Sequence, residues 1–159
     1  MSHVLVVHPP VTIARAFIDY PYFADLGAVQ LAGALRAGSD VTLIDAYAMP
    51  RSTLFWRRDE RGHLGAPVDD VLQAASEVAP FDAVVVCVTP FHRPPHRDDV
   101  LAAVLRGLRA IAPEAFLVLA DAYQSGQHYV ESDAVLDAYP EADAWVKYEG
   151  ERTVPAVIE

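Results

Sequence analysis

Several short segments combine residue types that can move protons, hold polar ligands or bind metal. His8 closes an apolar run and precedes Pro9 and Pro10. An imidazole there can donate or accept a hydrogen bond, serve as acid or base near neutral pH, or ligate a metal. The structural alternative, a hydrogen-bonded histidine at a strand end, is the commoner one. Pro9 and Pro10 stop a strand and hold the backbone extended, which suits either a ledge for a flat ligand or a plain chain exit. His92 and His96 stand four apart in Phe91-His92-Arg93-Pro94-Pro95-His96. The prolines deny them a shared helical face, and no cysteine or carboxylate stands at ligand spacing, so polar hydrogen bonding is a better reading than zinc. Asp121 ends a strand and either accepts hydrogen bonds from a ligand or caps the next turn. Tyr148-Glu149-Gly150-Glu151 spans a strand-to-helix junction, where a glycine lets another group approach the backbone and acidic residues favour a helix start. Cys87 sits within an apolar strand and reads as a small buried hydrophobe; a nucleophile would need exposure and a positive setting.

The elements that must position these residues follow from hydrophobic periodicity. Residues 3–7, 41–45, 82–88, 115–120 and 143–147 read as strands, the first and third near-continuously apolar. Residues 24–37, 68–79, 98–112 and 131–139 carry helical spacing, and 151–159 reads as the first turns of a further helix. A loop rich in aromatics (Phe17, Tyr20, Tyr22, Phe23) follows the first strand. Residues 46–66 show no clean period, and a stretch that long reads as a functional or mobile loop, with Phe55-Trp56 beside Arg57 and Arg58 as an interface candidate. Alternating strands and helices imply an α/β, doubly wound, flavodoxin-like (Rossmann-like) domain. Its five-stranded parallel sheet has expected order 2-1-3-4-5. Ligands of such folds bind beyond the carboxyl ends of the strands. The search for function therefore narrows to His8-Pro9-Pro10, Asp45-Ala46, Thr89-Pro90-Phe91, Asp121-Ala122-Tyr123 and Tyr148-Glu149-Gly150.

Composition narrows the classes further. The chain has 159 residues, 53% hydrophobic, with 12 basic residues against 22 acidic and a formal net charge of −10. One domain of this size buries a real core. The acidic balance argues against a nucleic-acid partner. No apolar run reaches bilayer length and no basic, apolar leader opens the chain, so a cytoplasmic protein is expected, with no membrane partner. The single cysteine excludes an internal disulfide and any cluster needing several cysteines. No phosphate-binding glycine fingerprint follows the first strand, no Gly-x-Ser-x-Gly elbow is present, and the acidic trio and lysine of a receiver domain are missing.

Val4-Leu5-Val6-Val7-His8-Pro9-Pro10, Leu26-Gly27, Leu35-Arg36-Ala37-Gly38, Leu43-Ile44-Asp45, Phe81-Asp82 with Val84-Val85-Val86, Arg109 with Pro113, and Asp143-x-Trp145-Val146-x-Tyr148-Glu149-Gly150-Glu151-x-Thr153 occur in this order. Together they resemble the N-terminal cobalamin-binding domain of cobalamin-dependent radical S-adenosylmethionine enzymes, over residues 3–158. The resemblance implies a corrin ring over the carboxyl edge of the sheet. Its contacts would be His8, Pro9, Pro10, Thr89, Pro90, Phe91, Asp121, Ala122, Tyr148, Glu149 and Gly150. It implies base-off cobalamin, since the chain lacks the Asp-x-His-x-x-Gly motif that supplies an axial histidine. The iron–sulfur cluster and S-adenosylmethionine would belong to a C-terminal radical domain, of methyltransferase or cyclase type, absent from these residues. On this reading residues 1–159 are one domain cut within its last helix, not catalytic alone. Leu119-Ala120-Asp121-Ala122 stands where the family shows Gly-Gly. The alternative is therefore a non-catalytic interaction domain that has lost the cofactor, its cleft filled by Asp121 and Tyr123. A third reading is a stand-alone enzyme using His8, His92 or Asp121 as acid or base.

Overall fold

The computed structural model describes residues 1–15, 26–89, 92, 96–121, 132–147 and 149–158, with backbone alone at 132 and 133. The aromatic segment after residue 15 lies outside them, as do Pro90, Phe91, Ala122, Tyr123 and Tyr148. Five strands form a parallel sheet: β1 (His3–His8), β3 (Asp40–Asp45), β6 (Ala83–Val88), β7 (Phe116–Asp121) and β8 (Ala144–Val146). Their order is β3-β1-β6-β7-β8. Numbered among themselves in chain order, these five strands run 2-1-3-4-5.

Helices cover both faces, which is why β6 is apolar at every position and buried throughout. Side-chain alternation divides the core in two. Leu5, Val7, Val84, Val86, Leu117 and Leu119 pack beneath α2 (Val68–Val78) and α3 (Asp99–Ile111). Val4, Val6, Val85, Cys87, Val118 and Ala120 pack against α1 (Leu26–Leu35) and α5 (Gly150–Ile158). Cys87 is fully buried in the second layer, so its thiol serves as packing. A short α4 (Ser132–Ala138) precedes β8. The chain turns into α3 at Asp98, whose Oδ1 accepts from the Leu101 N–H at 2.8 Å. Among the described residues, no helix is long and apolar enough to cross a membrane.

Residues 46–66 are not a loop. Within them β4 (Thr53–Trp56) and β5 (Arg61–Gly65) form a hairpin, and β5 pairs on its other side with β2 (Val11–Ala14), in a segment expected to be irregular. The result is a second, antiparallel sheet of order β2-β5-β4. Its turn is a type I turn, Glu60 N–H to Arg57 O at 3.2 Å, followed by Glu60 at φ 60°. That is the three-residue hairpin whose last position normally holds glycine. The strand pattern was hidden because Leu54, Phe55 and Trp56 are all apolar and β5 carries two glycines. Gly65, at φ 108° with Pro10 packed 3.0 Å from where a Cβ would sit, leads the chain back to the main sheet.

Candidate functional site

The parallel sheet brings the carboxyl ends of its strands to one edge in register. His8 pairs with Asp45 across β1 and β3, and Val88 pairs with Asp121 across β6 and β7. The first consequence is an imidazole–carboxylate contact, His8 Nδ1 to Asp45 Oδ1 at 3.2 Å. A carboxylate only accepts, so Nδ1 carries the proton. The same Oδ1 accepts from the Tyr47 N–H at 2.9 Å, and the Tyr47 ring lies 4.6 Å from the His8 ring. Burial works against a charge on Asp45. The hydrogen bonds from His8 and the Tyr47 amide outweigh it and hold the carboxyl below its usual range. His8, Pro9 and Pro10 are buried, so the ledge expected after β1 faces protein on this side.

Thr89 continues β6 and is fully buried, as is His92. The Thr89 N–H donates to His92 Nδ1 at 3.0 Å, and the Thr89 hydroxyl lies 3.2 Å from the same nitrogen. The His92 N–H returns a bond to the Thr89 carbonyl at 3.0 Å. A ring nitrogen that accepts from an amide bears no proton, so the neutral ring is protonated on Nε2. Desolvation lowers the His92 pKa to about 4, against the opposing pull of Asp98 and the Pro10 carbonyl; His8 also disfavours a second positive charge. Among the described residues no acceptor meets hydrogen-bond geometry with His92 Nε2, although the Pro10 carbonyl lies close enough to favour its protonated form. His92 thus stands between the loop after β6 and the loop after β1.

His96 departs from His92 despite the shared sequence segment. It is exposed, and its carbonyl accepts from the Tyr139 hydroxyl at 3.2 Å. The Tyr139 oxygen in turn accepts from the Asp98 N–H at 2.7 Å. Arg97 lies over the Tyr139 ring and pairs with Glu141 at 2.6 Å. These contacts tether the entry to α3 against the segment before β8.

Asp121 is buried at the end of β7, with interactions of its own. Glu149 has φ 47°, and its carbonyl accepts from the Arg152 and Thr153 amides, each at 2.8 Å, so it starts α5. Among the described residues, a Cβ on Gly150 would meet only Leu31 Cδ1, at 3.9 Å, so their packing does not demand a glycine there. Of the expected contacts, Pro90, Phe91, Ala122 and Tyr148 lie outside the described residues. Asp45, Tyr47 and His92 belong to the edge and were absent from the expected contact set. The signal for Asp45 was present: strands one and two are neighbours in a 2-1-3-4-5 sheet, and their ends fall at His8 and Asp45. Among the described residues, no three His, Cys, Asp or Glu side chains gather as a metal site. A cavity of about 430 Å³ opens at the opposite, amino-terminal edge between Ala34, Ser39, Pro155 and Ile158, and none of the described residues lining it is ionisable.

Fold and edge together define a doubly wound, flavodoxin-like α/β domain with buried polar groups at the carboxyl ends of its strands. No family model matches the chain. No curated protein matches it either. Among solved structures, the chain is similar to a response regulator protein from Burkholderia pseudomallei with a phosphorylated aspartic acid, calcium ion and citrate. The identity is 14%, the TM-score 0.52, and the match covers 100% of this chain and 67% of that one. At that identity the likeness concerns the fold.

Proposed function

We infer that the chain is a cobalamin-binding module whose catalytic partner, an iron–sulfur radical domain, lies on other residues. The observation that carries this reading is the convergence at one edge of His8-Pro9-Pro10, Thr89, Asp121 and Glu149-Gly150, drawn from segments that resemble the family in order and spacing. A corrin is a flat ring fringed with amides; imidazole, hydroxyl and carboxylate groups suit such a fringe, which would take the place of the protein groups that cover them here. Leu119-Ala120-Asp121-Ala122 stands where the family shows Gly-Gly; of these, Ala120 is buried in the same apolar layer as Val118, Val146 and Val154. Gly150 leaves room beside the last strand. Bound cobalamin supplies cobalt-centred methyl-transfer or redox chemistry; this chain's residues hold and orient the ring. The chain's own residues do not supply the lower-axial histidine of the Asp-x-His-x-x-Gly type, so base-off binding is the form proposed.

The test is direct. Purified chain is mixed with hydroxocobalamin and passed through gel filtration. Corrin absorbance that co-elutes with the chain, and falls in an Asp121→Ala variant of native far-UV circular dichroism, is the expected result. A folded chain that retains no visible absorbance overturns the reading and favours the interaction domain that has lost its cofactor.

A further inference from the structure

In the order β2-β5-β4, strand β4 has an unpaired edge among the described residues. The Arg57 N–H donates to the Arg61 carbonyl at 2.8 Å, which fixes the alternation of the ladder. Thr53 and Phe55 then bond to β5, and the N–H and C=O groups of Leu54 and Trp56 point outward. All four β4 residues are exposed, with Leu54 at 40%, Phe55 at 48% and Trp56 at 43%. Large apolar side chains on both faces, Leu54 and Trp56 over Gly62 on one and Phe55 stacked on His63 on the other, beside a backbone edge unpaired among the described residues, form a template for another strand, of the kind proteins normally blunt.

Charge identifies the occupant. Residues 51–61 hold four of the chain's twelve basic residues, Arg51, Arg57, Arg58 and Arg61, against Asp59 and Glu60, within a molecule of net charge −10. Arg51 pairs with Asp70 at 3.0 Å, Arg57 with Asp59 at 3.7 Å, and Arg15 with Glu60 at 3.6 Å. Arg58 is exposed and has no ion-pair partner among the described residues. A second copy of the chain is disfavoured as the occupant. Only outward-facing residues can stand opposite each other: with Leu54 opposite Leu54, antiparallel self-pairing sets Arg57 of each copy against Arg51 of the other, and like charges across a strand pair repel; with Leu54 opposite Trp56, Arg57 and Arg58 face Thr53 and Ser52 and gain no carboxylate. The same arginines attract carboxylates.

We propose that the free edge of β4, with its Leu54–Trp56 strip and flanking arginines, is a docking site for an extended acidic polypeptide segment that adds a fourth strand to the small sheet. Backbone hydrogen bonds to Leu54 and Trp56 provide the pairing, and arginine–carboxylate contacts select the partner. The surface lies on the small sheet, so the proposal does not depend on cobalamin.

The experiment uses the whole chain, labelled with ¹⁵N, and a synthetic peptide of alternating valine and glutamate as probe. The expected result is shifts of the Leu54 and Trp56 amides that saturate with peptide and weaken with salt. An Arg57→Glu, Arg58→Glu double variant is expected to bind about tenfold more weakly or worse, with an unchanged fold. Three outcomes overturn the proposal: equal binding of a valine–lysine peptide, dimerisation through β4 in sedimentation, or binding of phosphatidylserine vesicles but not of the peptide.

Discussion

His92 is a buried imidazole whose neutral form is built into the hydrogen bonding of the edge, since its Nδ1 accepts from the Thr89 amide. Its pKa falls from 6.5 to about 4 in the folded chain. The unfolded chain therefore takes up a proton as pH drops below 6.5, while the folded chain resists until about 4. Stability is full above that window and declines as pH falls through it, by on the order of 3 kcal/mol if this group acts alone. Urea titrations at pH 7 and pH 5 should show the decline, and His92→Gln should flatten it. Parallel slopes for the two proteins would show that another group controls the window. Asp45 has the opposite chemistry and a lower range. Its carboxylate is stabilised by His8 and the Tyr47 amide, so its contribution is present above the unfolded value of 3.8 and lost as pH falls through the lowered folded value. Asp45→Asn is expected to cost about 1–2 kcal/mol at pH 7, with the gap to wild type closing in acid. A gap of the same size at pH 3 would count against a charged Asp45 in the fold.

At the scale of elements, legibility in the sequence depended on whether a local pattern had one meaning. The run Ala83 to Val88 is apolar at every position because helices cover both faces of β6, and nothing but a buried strand fits it at that length. The hairpin was illegible because Glu60 occupies a left-handed position that glycine usually marks. Replacing Glu60 with Gly should therefore stabilise the chain by about 1 kcal/mol, since the ion pair it forms with Arg15 is fully surface-exposed and contributes little. A lower melting temperature for Glu60→Gly would refute that assignment of strain. Helix packing holds the converse case. A Cβ at Gly107 would lie 2.3 Å from Leu72 Cδ1 and 2.9 Å from its Cγ. The whole Leu72 side chain would have to move where α2 meets α3. Gly107→Ala ordinarily gains about 1 kcal/mol of helix propensity, but overpacking costs about 1–3. A net loss is expected, with Leu72→Ala in the same chain recovering part of it. Nothing in the sequence distinguishes this glycine from a tolerated helical one, because the contact is made with a residue 35 positions away.

Across the whole molecule, two sheets share one chain but not one core. The parallel sheet is enclosed by helices. The small sheet joins it through the buried Pro9-Pro10 crossing, the Ala66 N–H to Ala46 O bond at 2.7 Å, and Gly65 packed on Pro10. The ends of the strands were legible because they follow from the runs of apolar residues. What gathers there was legible only in part, since the His8–Asp45 contact crosses 37 residues and depends on strand order. The same division predicts how the molecule opens. Amides of β6 and β7 are paired within a sheet covered on both faces, so they should exchange with solvent only by global unfolding. Strand β4 is paired on one side and exposed along its length. Its hydrogen-bonded amides at Thr53 and Phe55 should exchange by a local opening about 2 kcal/mol or more below the global value, and the outward amides of Leu54 and Trp56 should show no protection. Val11 and Ile13 of β2 are almost fully buried, so the small sheet should open from its β4 side inward. Native-state hydrogen exchange with increasing denaturant separates the cases. If the amides of β4 merged with those of β6 at low denaturant, the two sheets would be one cooperative unit. If they stay apart, the hairpin can rearrange around a partner strand while the edge that carries His8, Thr89 and Asp121 remains folded.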